Sequence, residues 1–301
     1  MNELISCESA SLSIAMELQA CTNCGEPGVQ YGRFCEGCGT QAIAKSTEME
    51  IDACLAFVTD VGRHRKLNQD AGAVARRADG NALMVVADGV SHSWQAETAA
   101  RLAVDVVCNV LLNWSKLGHD TQALVDAISL ADEAVKTQLC RSPHRDLDSP
   151  ETTIVAALQR GTGWTVAWVG DSRAYVVDGG TAKLLTTDDS WIEQVVAAAE
   201  MTREQAMLDQ RAHAVTQTLG MEDTDIIIHT VQVELAIGQC LMLCTDGLWG
   251  YFPDPDALAQ ASDTAPLKSM LGVSRWLVDQ ANRCGGRDNT TVAIYRAQGT
   301  T

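Results

Sequence analysis

Long apolar runs are missing from this chain. No stretch approaches 18 consecutive apolar residues, which argues against a membrane-spanning helix. The first twenty residues, MNELISCESASLSIAMELQA, lack a basic start and a compact apolar centre, so a secretory leader is not expected. Positive charge is scarce: 22 Lys and Arg stand against 39 Asp and Glu, a formal net charge of −17. The densest basic clusters, GRHRK at 62–66 and ARR at 75–77, are too short to line a groove for a polyanion, so a nucleic-acid partner is not expected. Internal repeats and low-complexity segments are absent too, which excludes a solenoid or a disordered array.

What is present is 301 residues with 46% hydrophobic content, enough for one large domain plus a small module. The acidic surplus favours solubility, and it also suits carboxylates gathered around a cation. The cysteine count is 11, an odd number, and four of them sit in two C-x-x-C pairs. That usage fits a reducing cytoplasm and a metal site better than a disulfide framework.

Residues 1–20 read as a tail, 21–40 as a separate unit, 41–50 as a polar linker, and 51–297 as the globular body. Within the body, 52–60, 71–78, 82–88, 152–159, 163–170, 173–178, 225–235, 239–246 and 289–296 have strand character. Helical spacing of apolar residues marks 94–113, 120–139, 190–209, 255–262 and 267–282. Strands follow one another through tight Asp-Gly turns, and helices come in pairs. The expected class is therefore α+β with antiparallel sheets rather than an alternating β/α fold.

The unit at 21–40, CTNCGEPGVQYGRFCEGCGT, places Cys21 and Cys24 ten residues before Cys35 and Cys38. Each pair is followed by a glycine, and four thiolates suit tetrahedral zinc. About 20 residues cannot hold a fold without such a staple. The unit resembles a zinc ribbon, and the expected cofactor is one structural Zn²⁺, with a rubredoxin-type iron centre as the alternative. The side-chain charge of the unit is −1, from two Glu and one Arg. A protein partner or a purely structural role fits that charge better than nucleic acid.

Two apolar runs in the body end in Asp-Gly: VVADGV at 85–90 and LMLCTDG at 241–247. A continuous apolar run is the mark of a strand buried on both faces, and a carboxylate at its end needs a partner. Asp79-Gly80 and Asp178-Gly179, with polar neighbours, read as ordinary turns. Asp171, in the GDSR hairpin, is metal-like by type, but its hairpin position reads as a structural turn. Asp88 and Asp246, joined by Asp288 before the last strand and Asp70 before an early one, could be delivered to one place. Hard oxygen donors of that kind select Mg²⁺ or Mn²⁺, and a pair of such ions can activate water for attack on phosphorus.

The order of these motifs resembles the PPM family of metal-dependent serine/threonine phosphatases, also called protein phosphatase 2C. The resemblance covers about residues 54–296 and rests on GRHRKLNQD (62–70), VVADGV (85–90), TTIVAAL with AWVGDSRAYVV, LMLCTDGLWGYF (241–252) and GGRDNTTVAIY (285–295). It implies a four-layer α-β-β-α sandwich with metals in a cleft at one sheet edge. Asp88 would bridge two metals, the Gly89 carbonyl would bind one of them, and Asp246 and Asp288 would hold the other. Asp70 would contact the metal shell. Arg65 would pair with the substrate phosphate, and a hydroxide between the metals would attack phosphoserine or phosphothreonine in line. His92 is the candidate proton donor, one residue from the family position. Asp148 stands where a third-metal ligand is expected, in a loop that solvated surface would explain equally. Gln69 replaces the Glu that members often carry before Asp70. The segment 187–220 occupies the position of the family's flap. The expected partners are phosphorylated proteins, placing the chain opposite a serine/threonine kinase. A pseudophosphatase that scaffolds through its ribbon, and a metal phosphodiesterase acting on nucleotides, are the rival readings; the three carboxylates at 88, 246 and 288 favour the active enzyme.

Overall fold

The structure is a computed structural model; it describes residues 45–114, 119–141, 149–222 and 225–299, together with 18–19, 29–30 and 37–38. The chain divides into two compact units, Met1–Ala44 and Lys45–Thr301. In the first, β1 (Leu18–Gln19) and β2 (Val29–Gln30) pair antiparallel, with Leu18 opposite Gln30. Cys21, Cys24 and Cys35 lie outside the described residues, and Cys38 is exposed in a turn.

The second unit carries two antiparallel sheets. One has six strands in the order β10-β9-β12-β13-β4-β3, built from β3 (Ser46–Asp52), β4 (Leu55–Asp60), β9 (Arg173–Asp178), β10 (Thr181–Leu184), β12 (Cys240–Cys244) and β13 (Thr290–Arg296). The other has five, in the order β11-β8-β7-β6-β5, from β5 (Asp70–Arg76), β6 (Ala82–Asp88), β7 (Ile154–Arg160), β8 (Gly163–Val169) and β11 (His229–Glu234). Helices α1 (Ala96–Leu112) and α2 (Asp120–Arg141) cover the five-stranded sheet, while α6 (Pro255–Asp263) and α7 (Met270–Arg283) cover the six-stranded one. This is the expected α+β arrangement of helices around two antiparallel sheets.

Alternation along each strand divides the core. In β6, Leu83, Val85 and Ala87 face α1 and α2, while Met84 and Val86 face the other sheet. In β12, Met242 and Cys244 face α6 and α7, while Leu241 and Leu243 face inward. All are fully buried, which is why these runs are apolar throughout instead of alternating with polar residues. Among the described residues, no helix is long and apolar enough to cross a membrane.

Three local differences from the sequence reading have physical causes. Residues 46–52, taken mostly as linker, form edge strand β3 against β4; an edge strand solvated on one face is polar enough to look like a connection. The helix expected over 190–209 is two short ones, α3 (Trp191–Ala197) and α4 (Arg203–Ala206). Ala199 takes a positive φ of 54°, and Thr202 with Gln205 forms a capping box that starts the second helix afresh. A four-residue helix, α5 (Asp246–Trp249), begins where β12 ends.

Candidate active site

Strand ends from both sheets meet at one edge of the sandwich. Asp70 opens β5 and sits directly opposite Asp88, which closes β6. Asp246 follows β12 and opens α5, and Asp288 lies two residues before β13. Asp171 stands in the turn between β8 and β9.

The glycines after two of these acids are required by crowding. A Cβ on Gly89 would lie 2.5 Å from the Ala96 carbonyl oxygen and 2.7 Å from that of Gln69. A Cβ on Gly247 would lie 1.8 Å from the Asn289 carbonyl oxygen. Each Asp-Gly is therefore a place where a strand end runs against another backbone, rather than an open turn.

The two sheets are stitched together by buried hydroxyls. Thr245, just after β12, and Thr291, in β13, donate to Asp70 Oδ2 at 2.9 and 2.8 Å. Thr59 Oγ1 is 2.6 Å from Thr291 Oγ1 and accepts from Asn68 Nδ2 at 2.9 Å. Asp70 Oδ1, by contrast, is buried with no partner. Asn289 pins the loop that carries Arg65: its amide donates to the carbonyls of Val61 and Leu67 at 2.9 and 3.1 Å, and its Oδ1 accepts from the Gln69 N–H at 2.7 Å.

Electrostatics single out the cluster. Burial, then repulsion from Asp246 and Asp288, pushes the Asp70 carboxyl up to about 7 against the bonds from its threonines. Asp88 is raised well above the ordinary carboxylate range by burial and by the charges of Asp70 and Asp246. Asp246 is raised by burial and by Asp288, with relief from a hydrogen bond to Asp88 and from the Arg65 charge. Asp171 is raised well above the ordinary range by burial, then by Asp246 and Asp188. Arg65 donates from Nη2 to Asp288 Oδ2 at 2.6 Å, and both side chains are about one-third exposed.

The donor set fits a hard divalent cation. It is all oxygen, it holds an orphaned buried carboxylate oxygen, and it consists of acids that destabilise one another until positive charge arrives. The acids are gathered without being drawn onto a point: among the described residues, no three His, Cys, Asp or Glu side chains close into a finished ligand cluster.

The structure thus brings together Asp70, Asp88, Asp246, Asp288 and Arg65. His92 is exposed in the loop after Gly89, and Asp148 lies outside the described residues. Sequence reasoning set Asp171 down as a turn residue; the structure keeps it in the turn between β8 and β9 and buries it there, a burial that the turn reading did not anticipate. The signal was available: WTVAWVG is also an apolar run ending at an acid, here with the glycine before the Asp instead of after it.

A profile described as Protein phosphatase 2C matches residues 62–280. The chain belongs to the protein phosphatase 2C family. It is accordingly a metal-dependent serine/threonine protein phosphatase. The phosphatase is 29% identical over 246 residues to the serine/threonine phosphatase stp of Listeria monocytogenes, covering 79% of this chain and 93% of that protein. The crystal structure of the Mycobacterium tuberculosis serine/threonine phosphatase PstP/Ppp superposes with a TM-score of 0.71 at 25% identity, over 81% of this phosphatase and 98% of that chain. A structure of the PstP catalytic domain in complex with two manganese ions shares the fold, with a TM-score of 0.68 at 24% identity, over 84% of this phosphatase and 100% of that chain.

Proposed function

We propose that this phosphatase hydrolyses phosphoserine and phosphothreonine in proteins, with two Mn²⁺ or Mg²⁺ ions held by Asp88, the Gly89 carbonyl, Asp246 and Asp288, and with Asp70 at the edge of the set. The observation that carries this reading is the gathering of mutually repelling carboxylates at one sandwich edge, with Asp70 Oδ1 left without a partner. Asp171 is buried in a turn whose carbonyl accepts from Trp249 at 3.0 Å, in the helix that Asp246 opens, and on this reading it is taken with Asp246 as a pair of ligands for a further cation. When bound, the ions supply an ionised water near neutral pH and offset charge on the phosphoryl oxygens.

The chain's own groups do the rest. Arg65 presents a planar guanidinium to the phosphate and exchanges its bond to Asp288 for one to the substrate. Asn289 holds the Arg65 loop so that this exchange does not involve refolding it. Asp70 is fixed by Thr245 and Thr291 through Oδ2, which leaves Oδ1 to orient water or metal. His92, exposed in the loop after Gly89, is the candidate to give a proton to the departing alkoxide, on its nearness in sequence to the Asp88-Gly89 strand end.

The likeness to stp of Listeria supports protein substrates, and with them a place opposite a serine/threonine kinase. In the first unit, Cys21, Cys24, Cys35 and Cys38 hold one structural Zn²⁺ and offer a surface to a protein partner; spacing supports this. The free cysteines at 54, 108, 240, 244 and 284 favour a reducing, cytoplasmic setting.

The deciding assay is hydrolysis of a phosphothreonine peptide with and without Mn²⁺. Wild type requires the ion, and Asp88→Asn loses at least about 10³-fold in kcat. Hydrolysis that survives either EDTA or this substitution would refute the reading. For the ribbon, mass spectrometry should find one zinc per chain in wild type and none in Cys21→Ser with Cys24→Ser; equal zinc in both would remove the site.

A further inference from the structure

The turn Gly170-Asp171-Ser172-Arg173 is gripped at both ends by two consecutive acids of one other segment. Asp188 takes the far end: its oxygens accept from Arg173 Nε at 2.9 Å and Nη2 at 2.7 Å. Asp189 takes the near end: its Oδ2 accepts from the Gly170 N–H at 2.8 Å, and its own N–H donates to the Gly170 carbonyl at 2.9 Å. Between the two grips, Trp249 Nε1 donates to the Asp171 carbonyl at 3.0 Å, and Ser172 Oγ is 2.8 Å from Thr153 Oγ1. The turn is therefore held at both backbone groups of Gly170, at the Asp171 carbonyl and at the Ser172 hydroxyl, with Asp171 itself buried at the end of the helix that Asp246 opens.

Asp189 is itself a knot. Its Oδ2 also accepts from Gln217 Nε2 at 3.0 Å, and its Oδ1 is 2.9 Å from His229 Nε2. The His229 ring stacks on Trp168, with centroids 5.2 Å apart. The Asp189 carbonyl accepts from the Thr216 N–H at 2.8 Å. One half-buried carboxylate thus ties together the β8–β9 turn, the end of the 190–217 segment and edge strand β11. Gly170 has φ +98°, and a Cβ there would lie 2.7 Å from Thr153 Cβ, so the turn has little room to move by itself.

We propose that Asp189 is a positioning residue for cation binding, setting the direction of the Asp171 carboxyl by holding Gly170. The inference rests on the reading of Asp171 as a ligand, and the test separates the two. Mn²⁺ binding is followed by titration calorimetry on the full chain, without substrate, in wild type, Asp171→Asn, Asp189→Ala, Asp189→Asn and the double variant Asp171→Asn with Asp189→Ala. Outer contacts of metal ligands change affinity about tenfold or more. Asp171→Asn and Asp189→Ala should each weaken the loosest Mn²⁺ step by about tenfold. Asp189→Asn, which keeps an oxygen for the Gly170 N–H, should stay within about threefold of wild type. The double variant should be no weaker than Asp171→Asn alone, because the second change acts only through the first. A merely structural Asp189 would lower the melting temperature in both backgrounds and would not show this non-additivity. Wild-type Mn²⁺ binding in Asp189→Ala, or losses that multiply in the double variant, would overturn the inference while leaving Asp171 a ligand. Wild-type binding in Asp171→Asn would overturn both.

Discussion

Mild acid should stabilise the metal-free phosphatase, the reverse of the usual acid response. The Asp70 carboxyl is raised from 3.8 to about 7 by burial and by its acidic neighbours. Its folded value lies above its unfolded one, so between them the folded state binds more protons than the unfolded state. Stability then falls as pH rises through that window and is regained as pH falls. At about 1.4 kcal/mol per pH unit, lowering pH from about 8 to about 5 recovers ~3 kcal/mol from Asp70 alone. Burial pushes Asp88, Asp171 and Asp246 the same way. For a body of roughly 250 residues, ~3 kcal/mol corresponds to a rise of about 6 °C in Tm. The measurement is thermal unfolding by circular dichroism in EDTA at constant ionic strength. Saturating Mn²⁺ should flatten or reverse the trend, since protons then compete with the ion. Asp70→Asn should lose about half of it or more. A metal-free Tm that is level or falls between pH 8 and pH 5, or an Asp70→Asn variant with the full wild-type slope, would show that these carboxylates are not held in mutual conflict.

Arg173→Met should lower stability by ~3 kcal/mol, read as a lower urea midpoint, because it leaves buried Asp188 without its bidentate partner and removes a guanidinium stacked 3.7 Å over Trp249. An unchanged midpoint would mean the pair contributes nothing. Arg65→Ala should reduce kcat/KM for phosphothreonine peptides by about 10- to 100-fold, the worth of charge-assisted bonds to phosphate. Unaltered kinetics would take Arg65 out of the site.

Much of the site was legible because burial writes itself into sequence. Asp88 and Asp246 end runs that are apolar on both faces, and only a strand sandwiched between a helix layer and a second sheet needs that pattern. Asp70 opens and Asp288 precedes a strand of ordinary composition, and motif order rather than local pattern pointed to them. Asp171 was hidden because Gly-Asp-Ser-Arg has turn chemistry, and the turn does exist; the grips that fasten it come from residues 188 and 189, which no local window contains. β3 was concealed by its polar edge and the break at Ala199 by good helix formers on either side. Thr59, Thr245 and Thr291 carry no signal at all in sequence, since a threonine in or just after a strand is unremarked until an acid from another sheet lands beside it.

Because the acids hang from the ends of two different sheets, the distance between those sheets works like the jaw of a calliper. The spacer in that jaw is the layer of Met84, Val86, Leu243 and Ala293, far from any reacting atom. Thickening or thinning it by a methylene would widen or narrow the grip on the ion, so preference among cations of different radius is written into the greasy middle of the protein as much as into its ligands.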